Sequence, residues 1–204
     1  EFRVNTYLTD SQEEVSVASL NNGRFVATWR SGPDNSIKCK IYYSNGTVYK
    51  SEFSIYATYD NYRPVVASLS EEKFIIVWDR RTTTTSYSIY AQMYYNNGTI
   101  YKNTFKAHDD TATTSHRAGV ASLNDHKFGI IWSGEGPSDD SGVYCQIYNI
   151  DGSRYGKSFL VNEYISGTQS IYGNSIVRLS DNAFIVVRSG PGKGDLDGGI
   201  YQRR

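Results

Sequence analysis

Apolar and polar positions follow one pattern four times along this chain. Apolar runs start at Phe25, Phe74, Phe128 and Phe184, and the first three end in Trp29, Trp78 and Trp132. The fourth carries Arg188 in place of the Trp. A shorter box precedes each run: Val-Ala-Ser-Leu20, Val-Ala-Ser-Leu69, Val-Ala-Ser-Leu123 and the divergent Ile-Val-Arg-Leu179. An alternating segment follows each run, from Ile37, Ile89 and Val143, with a short copy at Ile200. Near-continuous apolarity predicts a strand covered on both faces, and alternation predicts a half-buried one. No window sustains a 3.6-residue period, so helix content is expected near zero.

Recurrence at roughly 50 residues is the mark of a repeat architecture. Each unit reads as four strands, here A to D. The units cover 15–56, 65–107, 119–162 and 175–204, within a single repeat domain over 1–204. The C-to-D links, Ser-Asn-Gly-Thr47, Asn-Asn-Gly-Thr99 and Ile-Asp-Gly-Ser153, are hairpin signals, expected as the mirror-image turn whose twist matches its strands. The last unit lacks a D strand. Residues 2–6, Phe-Arg-Val-Asn-Thr, match the D segment Phe159-Leu-Val-Asn162 but have no A, B or C before them. The expectation is an all-β fold of four repeated four-stranded antiparallel sheets, β-propeller-like. In it the N-terminal strand completes the last blade, its own or a neighbouring chain's. Self-closure gives a disc, and donation to a neighbour gives a filament. The strand for this contact is Phe2, Val4 and Asn5, and its acceptor is Ile200 and Tyr201.

Composition narrows the partners. The chain holds 21 Lys and Arg against 21 Asp and Glu, so no electrostatic footprint exists for nucleic acid or anionic lipid. No apolar stretch is long enough for membrane insertion as a helix. Its 18 Tyr are the compositional excess. In the pairs Tyr42/Tyr43 and Tyr94/Tyr95, neighbours point to opposite faces, so one member packs between blades and the other faces out, where it suits sugar stacking or chain contact.

Candidate chemistry is sparse. Cys39 and Cys145 share one position of segment C in units one and three, on opposite sides of the expected axis, and read as small core residues without an intrachain bridge, an interchain bridge being the alternative. Asn45 and Asn97 fall in N-x-Thr glycosylation sequons on exposed turns. The Thr/Ser-rich stretches 82–86 and 111–115 have an O-glycan composition. No cofactor is called for. Asp34, Asp139 and Asp140 lie in B-to-C loops, and Asp195-x-Asp197-Gly is half of a calcium loop, without its closing Glu, so calcium is a weak candidate, and a transition-metal pair of His108 and His116 a weaker one. His108 and His116 read as loop residues, with His126 in a turn. No nucleophile elbow, zinc motif or phosphate loop occurs, so the chain reads as no enzyme.

The strings in residues 2–6, 17–20, 25–29, 89–92 and 199–202 together resemble the F-x-V-N-T, V-A-S-L, F-V-V-x-W and G-I-Y-x-Q repeats of large secreted or cell-surface proteins, of the RTX- and adhesin-associated kind. The resemblance implies a propeller-like domain in an extracellular or surface setting and carries over no catalytic residue. The expectation is thus a non-catalytic structural or adhesive module, self-associating or packed on neighbouring repeats, and glycosylated. The alternative is a glycan-binding propeller lectin. A propeller hydrolase stands as a third reading, dependent on acids gathered at the axis.

Overall fold

The structure is a computed structural model, which describes residues 1–55, 60–70, 72–108, 114–136, 138–180 and 183–203, apart from the side chains of 195–197. All regular elements among them are strands. Blade 1 is β1 (Gln12–Leu20), β2 (Arg24–Ser31), β3 (Ser36–Tyr43) and β4 (Val48–Ile55). Blade 2 is β5 (Asn61–Ser68), β6 (Lys73–Arg81), β7 (Tyr87–Tyr95) and β8 (Ile100–Lys106). Blade 3 is β9 (Ser115–Asn124), β10 (Lys127–Gly136), β11 (Asp139–Asn149) and β12 (Arg154–Leu160). Blade 4 is β13 (Ile176–Ser180), β14 (Ala183–Gly192) and β15 (Asp195–Arg203). Each blade is an antiparallel meander in chain order, and the first strands β1, β5, β9 and β13 pack side by side. The fold is all-β and propeller-like, as the repeat pattern implies.

One aromatic device joins successive blades. Tyr94 on β7 stacks on Phe74 of its own sheet at 5.1 Å and receives Phe53 from β4 of the preceding blade at 5.6 Å. Tyr148 repeats this with Phe128 at 5.1 Å and Phe105 at 5.7 Å. Each such pair adds about 0.5–1.5 kcal/mol beyond its area burial. Tyr42 and Tyr94 are buried while Tyr43 and Tyr95 are exposed, the division their alternation predicts. Within a blade, Trp78 stacks on Tyr90 and Trp132 on Tyr144. In blade 4 the Arg188 guanidinium lies 4.8 Å from the Tyr201 ring, so a cation takes the place of the missing indole.

Two expectations about strands need correction. First, blade 4 has three strands, and residues 2–6 do not pair with β15. They lie on blade 1 instead. Phe2 packs on Tyr42 at 5.4 Å, and the Val4 carbonyl accepts the Tyr42 hydroxyl at 3.1 Å and Lys40 Nζ at 3.2 Å. Tyr148 likewise donates to the Ala107 carbonyl of the preceding blade at 2.7 Å. Phe2 and Val4 therefore make the inter-blade contacts of a D strand, and Asn5 continues that segment, but Ile200 and Tyr201 belong to β15, with which residues 2–6 form no ladder. The side-chain docking on Tyr42 decides their position. Second, the C-to-D hairpins are not mirror-image turns. Only the glycines take positive φ, +84° at Gly46 and +78° at Gly98, and Gly46 N–H bonds the Tyr43 carbonyl. This is a three-residue link whose Gly forms a bulge, and Asn45 and Asn97 stay in ordinary backbone space.

Candidate functional site

The inner strands share a second irregularity. Glu13 pairs with Arg30 and Ser16 with Thr28, so β1 gains one residue on β2. Tyr62 pairs with Asp79 and Val65 with Val77, a gain of one on β6. His116 pairs with Ser133 and Gly119 with Ile131, the same gain on β10. Each bulge opens on a left-handed residue: Glu14 at φ 55°, Arg63 at 49° and Arg117 at 56°. In blade 4 a longer excursion between the Ser170–Ser189 bridge and Ile176 holds Gly173 at φ 60°. Non-glycine residues at positive φ carry strain, and bulges re-aim side chains next to functional sites.

The four excursions converge. Glu14, Arg63, Arg117 and Tyr172 line one cavity of about 250 Å³ at the inner edges of the blades, with Val15 and Asn174 among its walls. Hydrogen bonds within and between blades tie these residues together. The Glu14 carboxylate accepts the Arg63 backbone N–H at 2.7 Å. Asp79 Oδ2 accepts Arg63 Nη1 at 2.7 Å and the Arg117 backbone N–H at 2.9 Å. Arg117 Nη1 donates to Ser170 Oγ at 2.9 Å, and its guanidinium covers Tyr172 at 4.4 Å from the ring centre. Asn174 Oδ1 accepts the Val120 N–H at 2.9 Å.

Electrostatics set the proton inventory. Asp79 is wholly buried, and burial pushes its carboxyl above the ordinary 3.8, against the bonds from Arg117 N–H and Arg63. The Ala118 backbone N–H also acts on this carboxyl in the lowering direction. Burial, then the charges of Arg117 and Arg63, pulls the His116 imidazole below 6.5. The cavity thus combines one carboxylate, two guanidiniums held at fixed points and one largely exposed aromatic ring. Forked donors and an aromatic face are what a hydroxyl-rich ligand uses.

The residues singled out from sequence lie elsewhere. Asp34 caps its own turn. Burial pulls its carboxyl up, but bonds from Lys38 and Ser36 win and hold it below the ordinary 3.8. Asp139 is spent on Ser141 N–H and Asn162 Nδ2, both at 2.9 Å, beside a separate polar groove that it lines with Asp140 and Thr168. The side chains of Asp195 and Asp197 lie outside the described residues, as do 111–113 of the Thr/Ser-rich stretch. No cluster of three His, Cys, Asp or Glu fit to hold a metal occurs among the described residues. Cys39 and Cys145 are buried free thiols, and burial pushes both up to about 12. Asn45 and Asn97 are exposed, each accepting bonds from the Thr two residues on.

Glu14, Arg63, Arg117 and Gly173 were missed by sequence reasoning, though a signal existed. Each stands six residues before the Leu that ends the repeated box, at Leu20, Leu69, Leu123 and Leu179. Charged residues at a fixed place beside a repeated core box mark a position used for something other than packing.

No protein-family profile matches the chain, and no curated protein matches it by sequence. Solved structures do. An α-L-arabinofuranosidase from Lactobacillus brevis superposes with a TM-score of 0.56 at 11% identity, over 94% of this chain and 66% of its own. A xylan β-1,4-xylosidase from Bacillus halodurans C-125 gives 0.50 at 6% identity, over 94% of this chain and 40% of its own. The chain thus spans about two thirds of the first protein's length and less than half of the second's. What is shared is the fold. Because this fold also serves an arabinofuranosidase and a xylosidase, the reading as a non-catalytic adhesive module, or as a lectin without catalysis, is corrected; the likeness does not bear on self-association. A propeller gathers its site from separate blades, so the lack of a contiguous catalytic motif is no ground for reading the chain as no enzyme.

Proposed function

We propose that this chain is the sugar-binding body of a carbohydrate-active enzyme of the glycoside hydrolase kind, with the inner cavity as its substrate site. The observation that carries this reading is the convergence of Glu14, Arg63, Arg117 and Tyr172 from four blades on one cavity, the first three on strained bulges and Tyr172 beside left-handed Gly173. The shared fold with an arabinofuranosidase and a xylosidase supports it. Glycoside hydrolysis uses a carboxyl pair flanking the scissile bond. Glu14 supplies one member of that pair, the acid–base carboxyl, and no second carboxyl lines the cavity among the described residues. Asp79 stands behind Arg63 and acts as a positioning residue.

The test is turnover of a panel of aryl glycosides (α-L-arabinofuranoside, β-D-xyloside, β-D-glucuronide) by the whole chain, beside Glu14→Gln. Turnover is expected, with a loss of about 100-fold or more in the variant, the usual size of a general acid's contribution. A correctly folded chain that neither cleaves any panel member nor binds the matching sugars in the inner cavity overturns the reading.

A further inference from the structure

The two guanidiniums of the cavity differ in their partners. Arg63 is satisfied by the buried carboxylate of Asp79 at 2.7 Å. Arg117 bonds a neutral hydroxyl, Ser170 Oγ, and an aromatic face, Tyr172, and no carboxylate among the described residues lies within ion-pair distance of it. A guanidinium has five N–H donors in a rigid fork, and one of Arg117's is used by Ser170. Among the described residues Glu14 is the one acid lining the cavity, and its Oε2 is held by the Arg63 backbone N–H. Positive charge is therefore left over at Arg117, on the wall the exposed Tyr172 shares. The depressed proton affinity of His116, caused first by burial and then by Arg117 and Arg63, is the same field sensed by a neighbour.

We infer that Arg117 is a specificity residue for a sugar carboxylate, so that the cavity takes a hexuronic acid unit in preference to its neutral counterpart. The inference rests on the inner cavity being the sugar site and names the substrate class it selects. The carboxylate fits by geometry as well as charge, since a planar fork meets a planar carboxylate through two parallel bonds. Size agrees. A cavity of about 250 Å³ is below the usual range of ligand sites, which starts at about 300 Å³, and suits one sugar ring rather than a longer chain. Tyr172, 65% exposed, offers a ring against which the apolar face of that sugar rests.

The test titrates the whole chain with methyl β-D-glucuronoside and with methyl β-D-glucoside, followed by protein NMR shifts, for the parent, Arg117→Gln, Arg117→Lys and Tyr172→Ala. The acid is expected to bind about tenfold or more tighter than the neutral sugar, the ratio a charge-assisted pair supplies. Arg117→Gln weakens the acid more than the neutral sugar and so brings the two affinities together, Arg117→Lys keeps part of the preference, and Tyr172→Ala weakens both alike. Equal binding of the two sugars by the parent overturns this inference and leaves the cavity as a sugar site. Binding of neither overturns the cavity reading as well. A ratio unmoved in Arg117→Gln, with that variant melting like the parent, removes Arg117 from the role.

Discussion

Asp79 holds Arg63 at 2.7 Å from a position with no solvent exposure. The pair spans two strands of blade 2, and Asp79 reaches further, to the N–H of Arg117 in blade 3. One buried carboxylate thus fixes both left-handed arginines of the cavity. Strained residues persist where surrounding structure over-determines them, and Asp79 is that structure here.

Asp79 makes stability depend on pH. Its folded-state affinity for a proton is raised by burial above the ordinary 3.8. The folded state then binds a proton that the unfolded chain releases first. This contribution to stability is complete below 3.8 and is lost as pH rises through the folded value. Urea midpoints measured upward from pH 3.8 should show that loss in the parent, and Asp79→Asn should lack it.

His116 has the opposite sign. Its folded-state value lies below 6.5, so the unfolded chain takes the proton first as pH falls. Stability present above 6.5 is therefore lost on acidification toward the folded value. His116→Phe should flatten the urea midpoint across that interval, and NMR titration of the ring should give a value below 6.5 in the parent.

Gly136 marks a place where a methyl group has no room. A Cβ there would stand 2.3 Å from Tyr144 Cζ, and at Gly192 2.1 Å from Tyr201 Cζ. Gly23 has open space around it and a φ of +71°. Gly136→Ala should cost about 1–3 kcal/mol by overpacking. Gly23→Ala should cost about 1 kcal/mol, from backbone strain alone. Thermal melts of the two variants distinguish clash from strain.

Phe2 secures the N-terminal segment through Tyr42. It is 53% exposed, so roughly half of a full aromatic burial is at stake, about 1 kcal/mol in Phe2→Ala. Amide exchange should quicken around residues 2–6 while the β1 to β4 ladders keep their protection.

The blades themselves were legible from the chain alone. Phe74 to Trp78 is apolar throughout because β6 is covered on both faces, and the alternation from Ile37 to Tyr42 is that of β3, where Lys38 and Lys40 point away from Ile37, Cys39 and Ile41. Local periodicity and turn residues carry that information. The bulges lie outside that periodicity and leave only a positional trace, six residues before each box Leu, because one extra residue in a ladder depends on what the neighbouring blade offers. Glu14, Arg63 and Arg117 look like ordinary charged strand ends until Asp79 and Ser170 are brought across from other strands.

The repeat by itself determined an all-β chain of four antiparallel units with aromatic seams, since strand patterning is a short-range property of side-chain alternation. Tertiary structure alone decided that residues 2–6 dock on Tyr42 rather than join β15, and that four strand ends 49 to 56 residues apart in sequence form one cavity. Those outcomes depend on how blades pack around a common edge, where distances in space bear no relation to separation along the chain.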